Sequence, residues 1–157
     1  MGEHEHESLG EEHPQSDRSQ IVMLIILIAA WALDSFLFQR FTLKSVPMLV
    51  RLGVSVVTAG MGIYLVLQSH KLVIYADEPG LVDWGVYSVS RHPMYLGSIL
   101  FELGLVFTTM SMLAFGIWLV TFLVYNRFAA YEENSLINVL GDDYRNYQQK
   151  VRRWGLF

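Results

Sequence analysis

The stretch HPMYLGSILFELGLVFTTMSMLAFGIWLVTFLVY, residues 92–125, decides the fold. As one continuous α-helix its 34 residues would reach about 50 Å, too long for a single upright crossing of a bilayer and short for two full ones. One reading takes 103–125 as a single span with Glu102 at its edge. The other breaks the stretch at Thr108-Thr109-Met110-Ser111 into two short helices, with Glu102 buried between them. Charge bias separates the two. With four spans, the N-terminal tail, the 69–90 segment and the C-terminus share a side, and that side holds eight of the eleven Lys and Arg residues. Arg40, Lys44 and Arg51 remain on the other. Three spans would push the basic C-terminus outside, against the positive-inside rule. The sequence therefore predicts an all-α integral membrane protein of about four transmembrane helices, with both termini cytoplasmic.

Upstream, residues 21–38 form the first predicted span, nearly all apolar apart from Asp34, which is expected to be solvated at its far end. Residues 39–45 make a short polar loop. Pro47 starts a second span that runs to about Gln68, with Ser55, Ala59, Gly60 and Gly62 as a small-residue face for close helix packing. Residues 69–90 read as a loop with a turn at Pro79-Gly80 and a short extended or interfacial piece at Leu72-Val73-Ile74-Tyr75. Gly60-Met61-Gly62 is no nucleotide loop, because it lies mid-span with no strand before it. Downstream, the fourth helix continues beyond the membrane to about Leu140 and is stopped by Gly141. From Asp142 to Arg153 a closing helix carries Tyr144, Tyr147, Val151 and Trp154 on one face, to lie on the interface or to cap a site.

Composition agrees. A chain of 157 residues with 53% hydrophobic and only 17% charged residues is too apolar for an ordinary soluble domain of its size. The absence of cysteine excludes disulfides, thiolate nucleophiles and Cys-based metal sites. Residues 1–20 interleave Glu3, Glu5, Glu7, Glu11 and Glu12 with His4, His6 and His13, which reads as a disordered acidic tail. Its histidines make a poor metal site because a flexible tail supplies no supporting shell, so no metal is expected. Residues 21–157 then form one membrane domain. Nothing in the charge pattern supports nucleic-acid binding.

Two polar clusters fall on the same side of the membrane. Tyr87, Arg91, His92 and Tyr95 stand at the head of the third helix, and Arg127, Glu132 and Glu133 stand where the fourth emerges. A tight hairpin would bring them together in a cavity open to the cytosol and to lipid. Such a cavity suits a charged, water-soluble cosubstrate reacting with a greasy one. Spacing alone does not say which reaction.

Gly85-Val86-Tyr87, then Arg91-His92-Pro93-Met94-Tyr95-Leu96-Gly97, then Glu132-Glu133-Asn134-Ser135-Leu136-Ile137 with Gly141, Tyr144, Tyr147 and Val151, closely resemble the isoprenylcysteine carboxyl methyltransferase family. Membrane phospholipid methyltransferases share its outline. The likeness covers about residues 79–151, the catalytic half. It implies an integral-membrane enzyme using S-adenosylmethionine, with S-adenosylhomocysteine as product, and a lipid-like acceptor entering sideways from the bilayer. By that analogy the cofactor pocket takes in Leu81, Val82, Tyr87, Arg91, His92, Pro93, Met94, Tyr95 and Glu132. Arg91 and His92 would donate to the methionyl carboxylate, and Glu132 would accept from the α-ammonium or the ribose hydroxyls. Arg127 would hold an anionic acceptor, and Glu133 would serve as base for an acceptor that arrives protonated. The family's acceptor-binding arginine aligns at Phe128, one position from Arg127, and Arg152-Arg153-Trp154-Gly155 replaces its usual proline after Val151. The acceptor is left as an isoprenylcysteine-like carboxylate, a phospholipid amine or a small thiol. A non-catalytic four-helix membrane scaffold is the competing reading.

Overall fold

The computed structural model describes residues 16–38, 45–74 and 80–155. All of the long elements among them are helices: α1 (Ser16–Ala32), α2 (Met48–Ile74), α3 (Pro93–Thr109), α4 (Met112–Leu140) and α5 (Asp142–Lys150). A π-helical turn, Leu33–Phe38, extends α1, and a 3-10 turn, Gly85–Ser88, precedes α3. Residues 1–15 of the expected acidic tail, 39–44 of the expected 39–45 loop, Tyr75, and the Pro79 half of the expected turn lie outside the described residues. Three apolar helices are long enough to cross a membrane, Arg18–Leu37, Met48–Ile74 and Met112–Leu140. The apolar α3, at 17 residues, is shorter.

The 92–125 stretch breaks within the expected four residues. Met110 adopts the left-handed conformation with φ 55°, and its N–H still bonds Val106 O. Ser111 then caps α4 by accepting from the Ala114 N–H at 3.2 Å. A left-handed residue followed by a hydroxyl cap reverses the chain in two residues, which makes α3 and α4 a hairpin.

Other boundaries differ from expectation. Helix α1 begins at Ser16, inside the expected tail. Once a helix is nucleated, each further residue adds a bond at little cost, and polar residues can carry it out of hydrocarbon into water. Helix α2 runs on to Ile74, so Leu72, Val73 and Ile74 are helical rather than extended. At about 1.5 Å per residue α2 is about 40 Å long and projects beyond the hydrocarbon, where its Leu72 packs under Gly85. Gly85 has φ +62°, and a Cβ there would sit 2.7 Å from Leu72 Cδ1.

Helix α2 lies along α3, and α1 lies against α4. The α2/α3 contact is close because three glycines remove side chains from it. A Cβ on Gly62 would meet Gly97 O at 2.5 Å, and one on Gly104 would meet Ala59 Cβ at 2.7 Å. Gly60, expected on the same face, points into open space instead. At 100° per residue, two positions turn it well away from Gly62.

Asp34 is not solvated. It is 1% exposed in the π-helical turn, where it accepts from Ser111 Oγ at 2.6 Å. Around it Ser35 Oγ meets Thr109 Oγ1 at 2.6 Å, Trp31 Nε1 donates to Thr108 Oγ1 at 3.0 Å and Arg51 Nη1 reaches Thr109 O at 3.5 Å. This polar knot ties α1, α2 and the hairpin turn at one end of the bundle. The opposite end carries the head of α3, the emerging half of α4 and α5.

Candidate active site

At that opposite end the backbone sets the geometry first. His92 is the N-cap of α3 and Pro93 its first helical residue, a place where a missing N–H costs nothing. The residues after α5 return across this helix head. Arg91 N donates to Arg152 O at 3.1 Å and Ser90 Oγ to Arg153 O at 2.7 Å. Ser90 Oγ also accepts from His92 N at 3.3 Å. The C-terminal strand of chain thus fixes where the Arg91 and His92 side chains leave the backbone.

Those side chains converge on α4. Glu133, 5% exposed, accepts from Arg91 Nη2 at 3.1 Å, from Arg153 Nε at 2.9 Å and Nη2 at 2.8 Å, and from Gln148 Nε2 at 3.2 Å. His92 Nε2 lies 3.2 Å from Glu133 Oε1, and His92 Nδ1 lies 3.5 Å from Glu132 Oε2. An imidazole with a carboxylate at each nitrogen is satisfied only when both nitrogens donate, which is the imidazolium form. Burial opposes that charge, but the hydrogen bonds and negative charges of Glu132 and Glu133 outweigh it, and the His92 pKa is raised.

Glu132, one residue earlier on α4, also accepts from the Tyr95 hydroxyl, and its side chain is 16% exposed. Tyr95 stacks on His92 with ring centroids 5.8 Å apart. The Trp154 ring lies tilted 6.3 Å from the imidazole and hydrogen-bonds Asn126 Oδ1 through its indole N–H at 3.1 Å. Arg153 Nη1 donates to the same Asn126 oxygen at 3.0 Å. Above them α5 is a cap. Tyr144, Tyr147 and Val151 are buried against Leu136, Ile137, Leu140 and Leu81, and Tyr147 Oη donates to Tyr87 O at 2.6 Å. Burial foremost, with the Glu132 charge adding to it, pushes the Tyr87 phenol up to about 12, so it stays neutral and able to donate.

Of the residues expected from sequence, the structure brings together Tyr87, Arg91, His92, Tyr95, Glu132 and Glu133. Pro93 is buried at the helix start, Leu81 packs under α5, and Val82 is half-buried beside it in sequence. Met94 is exposed. Arg127 is also exposed, and among the described residues it forms no ion pair with the cluster. Phe128 takes the inward direction in its place and is buried with Tyr95 and Tyr125. Arg153, Gln148, Asn126 and Ser90 were not given a place in the site by sequence reasoning, whereas Trp154 was expected on the capping face of the closing helix. Apart from the Ser90 contact to His92 N two positions away, the contacts that place them lie 15 to 63 positions apart along the chain, so little local pattern marks them.

Comparison with known proteins bears on this arrangement. The chain is 34% identical over 100 residues to a protein of Oryza sativa subsp. indica named probable protein-S-isoprenylcysteine O-methyltransferase. It is 32% identical over 98 residues to the protein-S-isoprenylcysteine O-methyltransferase of Xenopus laevis. Each match covers 62% of this chain, but only 49% of the rice protein and 33% of the frog protein, so the chain spans half or less of the length of these relatives. No solved structure matches it. The family model for phospholipid methyltransferases matches residues 47–143, which is more than half of the chain and includes α2, the α3/α4 hairpin and the whole Glu132 and Glu133 pair. By that match, and by the helix-head cluster it encloses, this integral membrane protein belongs to the phospholipid methyltransferase family.

Proposed function

We propose that the chain transfers a methyl group from S-adenosylmethionine to a lipophilic acceptor supplied by the bilayer, at the head of α3. The observation that carries the reading is His92 bracketed by the carboxylates of Glu132 and Glu133, beside an arginine with a donor to spare. Arg91 Nε is buried with no hydrogen-bond partner among the described residues. A buried guanidinium N–H left open in this way fits the carboxylate of an amino-acid ligand. Glu132, partly exposed at the rim, fits an α-ammonium or ribose hydroxyls, and the neutral phenol of Tyr87 with the apolar Leu81 and Val82 fits the adenosyl part. When bound, the cofactor supplies an already activated sulfonium methyl, so the protein has to align, desolvate and hold charges in place.

Glu133 is assigned a different role from the one its sequence position suggests. Both its oxygens are taken by guanidinium groups, and a carboxylate so committed is a poor proton acceptor. It orients His92 and Arg91. Arg127, exposed away from the cluster, is given no part in the site. The site faces the cytoplasm on the charge asymmetry between the two ends of the bundle, and an isoprenylcysteine-like carboxylate or a phospholipid amine would be the acceptor class.

Calorimetric titration of the purified protein with S-adenosylhomocysteine tests the reading. Saturable binding that is lost in both His92→Ala and Glu132→Gln is expected. No binding by folded wild-type protein would sink it and leave a membrane scaffold.

A further inference from the structure

One buried group near the site is left incomplete by the fold. Glu102 lies on α3, two turns below Tyr95, and is 2% exposed. Side chains on a helix lean toward its N-terminus, so Glu102 leans up toward His92 while Tyr125, on the antiparallel α4, leans down to meet it. The Tyr125 hydroxyl donates to Glu102 Oε1 at 3.4 Å. The Tyr125 ring lies 5.4 Å from that of Tyr95, whose hydroxyl donates to Glu132. Glu102 is therefore joined to the floor of the site by two aromatic side chains.

Its second oxygen, Oε2, is buried without a hydrogen-bond partner among the described residues. None of the ion pairs among those residues includes Glu102. As an anion it strands a charge in the bilayer zone, and as a neutral acid it still leaves one buried oxygen without a partner. Each form calls for something the protein does not provide. Arg91, His92 and Arg153 all pair with Glu133, and none of them forms an ion pair with Glu102. The Tyr125 ring, whose hydroxyl meets the carboxyl, and the Tyr95 ring 5.4 Å from it offer electron-rich faces, which attract a cation as the carboxylate does.

We infer that Glu102 is the seat for the onium centre of a ligand, a carboxylate that pairs with a positive sulfur or nitrogen at the floor of the site. The inference rests on the methyltransferase reading, and the cation can come from two sources, the sulfonium of the methyl donor or the protonated amine head of a lipophilic acceptor.

The test is calorimetric titration of the full chain in lipid nanodiscs, comparing wild type with Glu102→Gln. Four probes are used: S-adenosylhomocysteine, which is uncharged at sulfur; its analogue with a protonated amine in place of the sulfonium; dodecylamine; and dodecanol. Glu102→Gln should keep the affinity for S-adenosylhomocysteine within about twofold and weaken a cationic probe by about tenfold, the loss of one charge-assisted contact. Loss confined to the amine analogue assigns the seat to the donor, and loss confined to dodecylamine relative to dodecanol assigns it to the acceptor. Unchanged affinity for both cations overturns the inference while leaving the methyltransferase reading intact. If glutamine disturbs packing, seen as lost S-adenosylhomocysteine binding, Glu102→Met removes the stranded atom altogether and carries the same comparison. A wild-type protein that binds no adenosyl probe overturns the methyltransferase reading and this inference with it.

Discussion

Replacing Arg153 with alanine should cost more than the loss of an ordinary surface arginine, and the structure says how much. Its guanidinium donates to Glu133 through Nε at 2.9 Å and Nη2 at 2.8 Å, with Nη1 on Asn126 at 3.0 Å. Hydrogen bonds to charged groups are worth about 1.5–3 kcal/mol each, and the Arg153 side chain is 25% exposed, which places both at the low end, or about 3 kcal/mol for the fork. Asn126 keeps the Trp154 indole N–H as a donor, so nothing is orphaned there. Glu133→Gln should cost about 3–5 kcal/mol, because it strands Arg91, His92 and Arg153 together. Once Glu133 is neutral, Arg153 has lost its main partner, so the double variant should be less damaged than the sum of the singles by about 2 kcal/mol. The assay is equilibrium unfolding in mixed micelles of a mild detergent and dodecyl sulfate. Single effects that add to within about 0.5 kcal/mol would refute the reasoning, since residues sharing one network do not behave additively.

Two further outcomes are expected in the same assay. The His92 pKa is raised above 6.5 in the folded state, so its contribution to stability is fully present below about pH 6.5 and is lost as pH rises through the folded value. The stability of wild type relative to His92→Gln should therefore fall on the alkaline side, and a difference that stays flat from pH 6 upward contradicts a doubly donating imidazolium. Gly62→Ala places a methyl 2.5 Å from Gly97 O and 2.6 Å from Phe101 N, both backbone atoms that cannot rotate away. It should cost about 1–3 kcal/mol by forcing α2 and α3 apart. Gly53→Ala on the same helix meets nothing within 4 Å and should instead gain up to about 1 kcal/mol from helix propensity. Equal effects of the two would mean that the close approach of the helices does not govern stability.

The parts legible in the sequence were those set by local chemistry. The break in 92–125 was readable because Thr108, Thr109, Met110 and Ser111 interrupt an apolar run, and Ser111 is a good N-cap. Gly141 as the end of α4 was readable for the same kind of reason, its φ of +57° being a conformation that glycine favours. Residues whose partners lie far away were not readable. Asp34 looked like an acid at the end of a span, and only the return of Ser111 from 77 positions away makes it a buried acceptor. The tyrosine face of α5 signals apolar company without saying whether that company is lipid or protein, and the structure chooses protein. At Arg127 and Phe128 the sequence left an arginine one step from the expected inward position, and one step of helix is enough to turn it out to solvent.

The two ends of the bundle solve opposite problems with the same chain. At the Asp34 end the polar groups pair among themselves through short hydroxyl contacts, and α2 and α3 below them meet through glycine with almost no side chain between. That end anchors the hairpin. At the other end the chain gathers a helix head, the middle of α4 and the residues after α5 onto one carboxylate, so that Glu133 holds three segments distant in sequence. A site assembled in this way is rigid only while its return strand stays in place. Arg153 and Trp154 therefore link stability to geometry: loosening the C-terminal return frees Glu133, and with it the orientation of His92 and Arg91. A ligand that fills the open Arg91 donor from outside would tighten the same three segments and should protect them together against exchange and proteolysis.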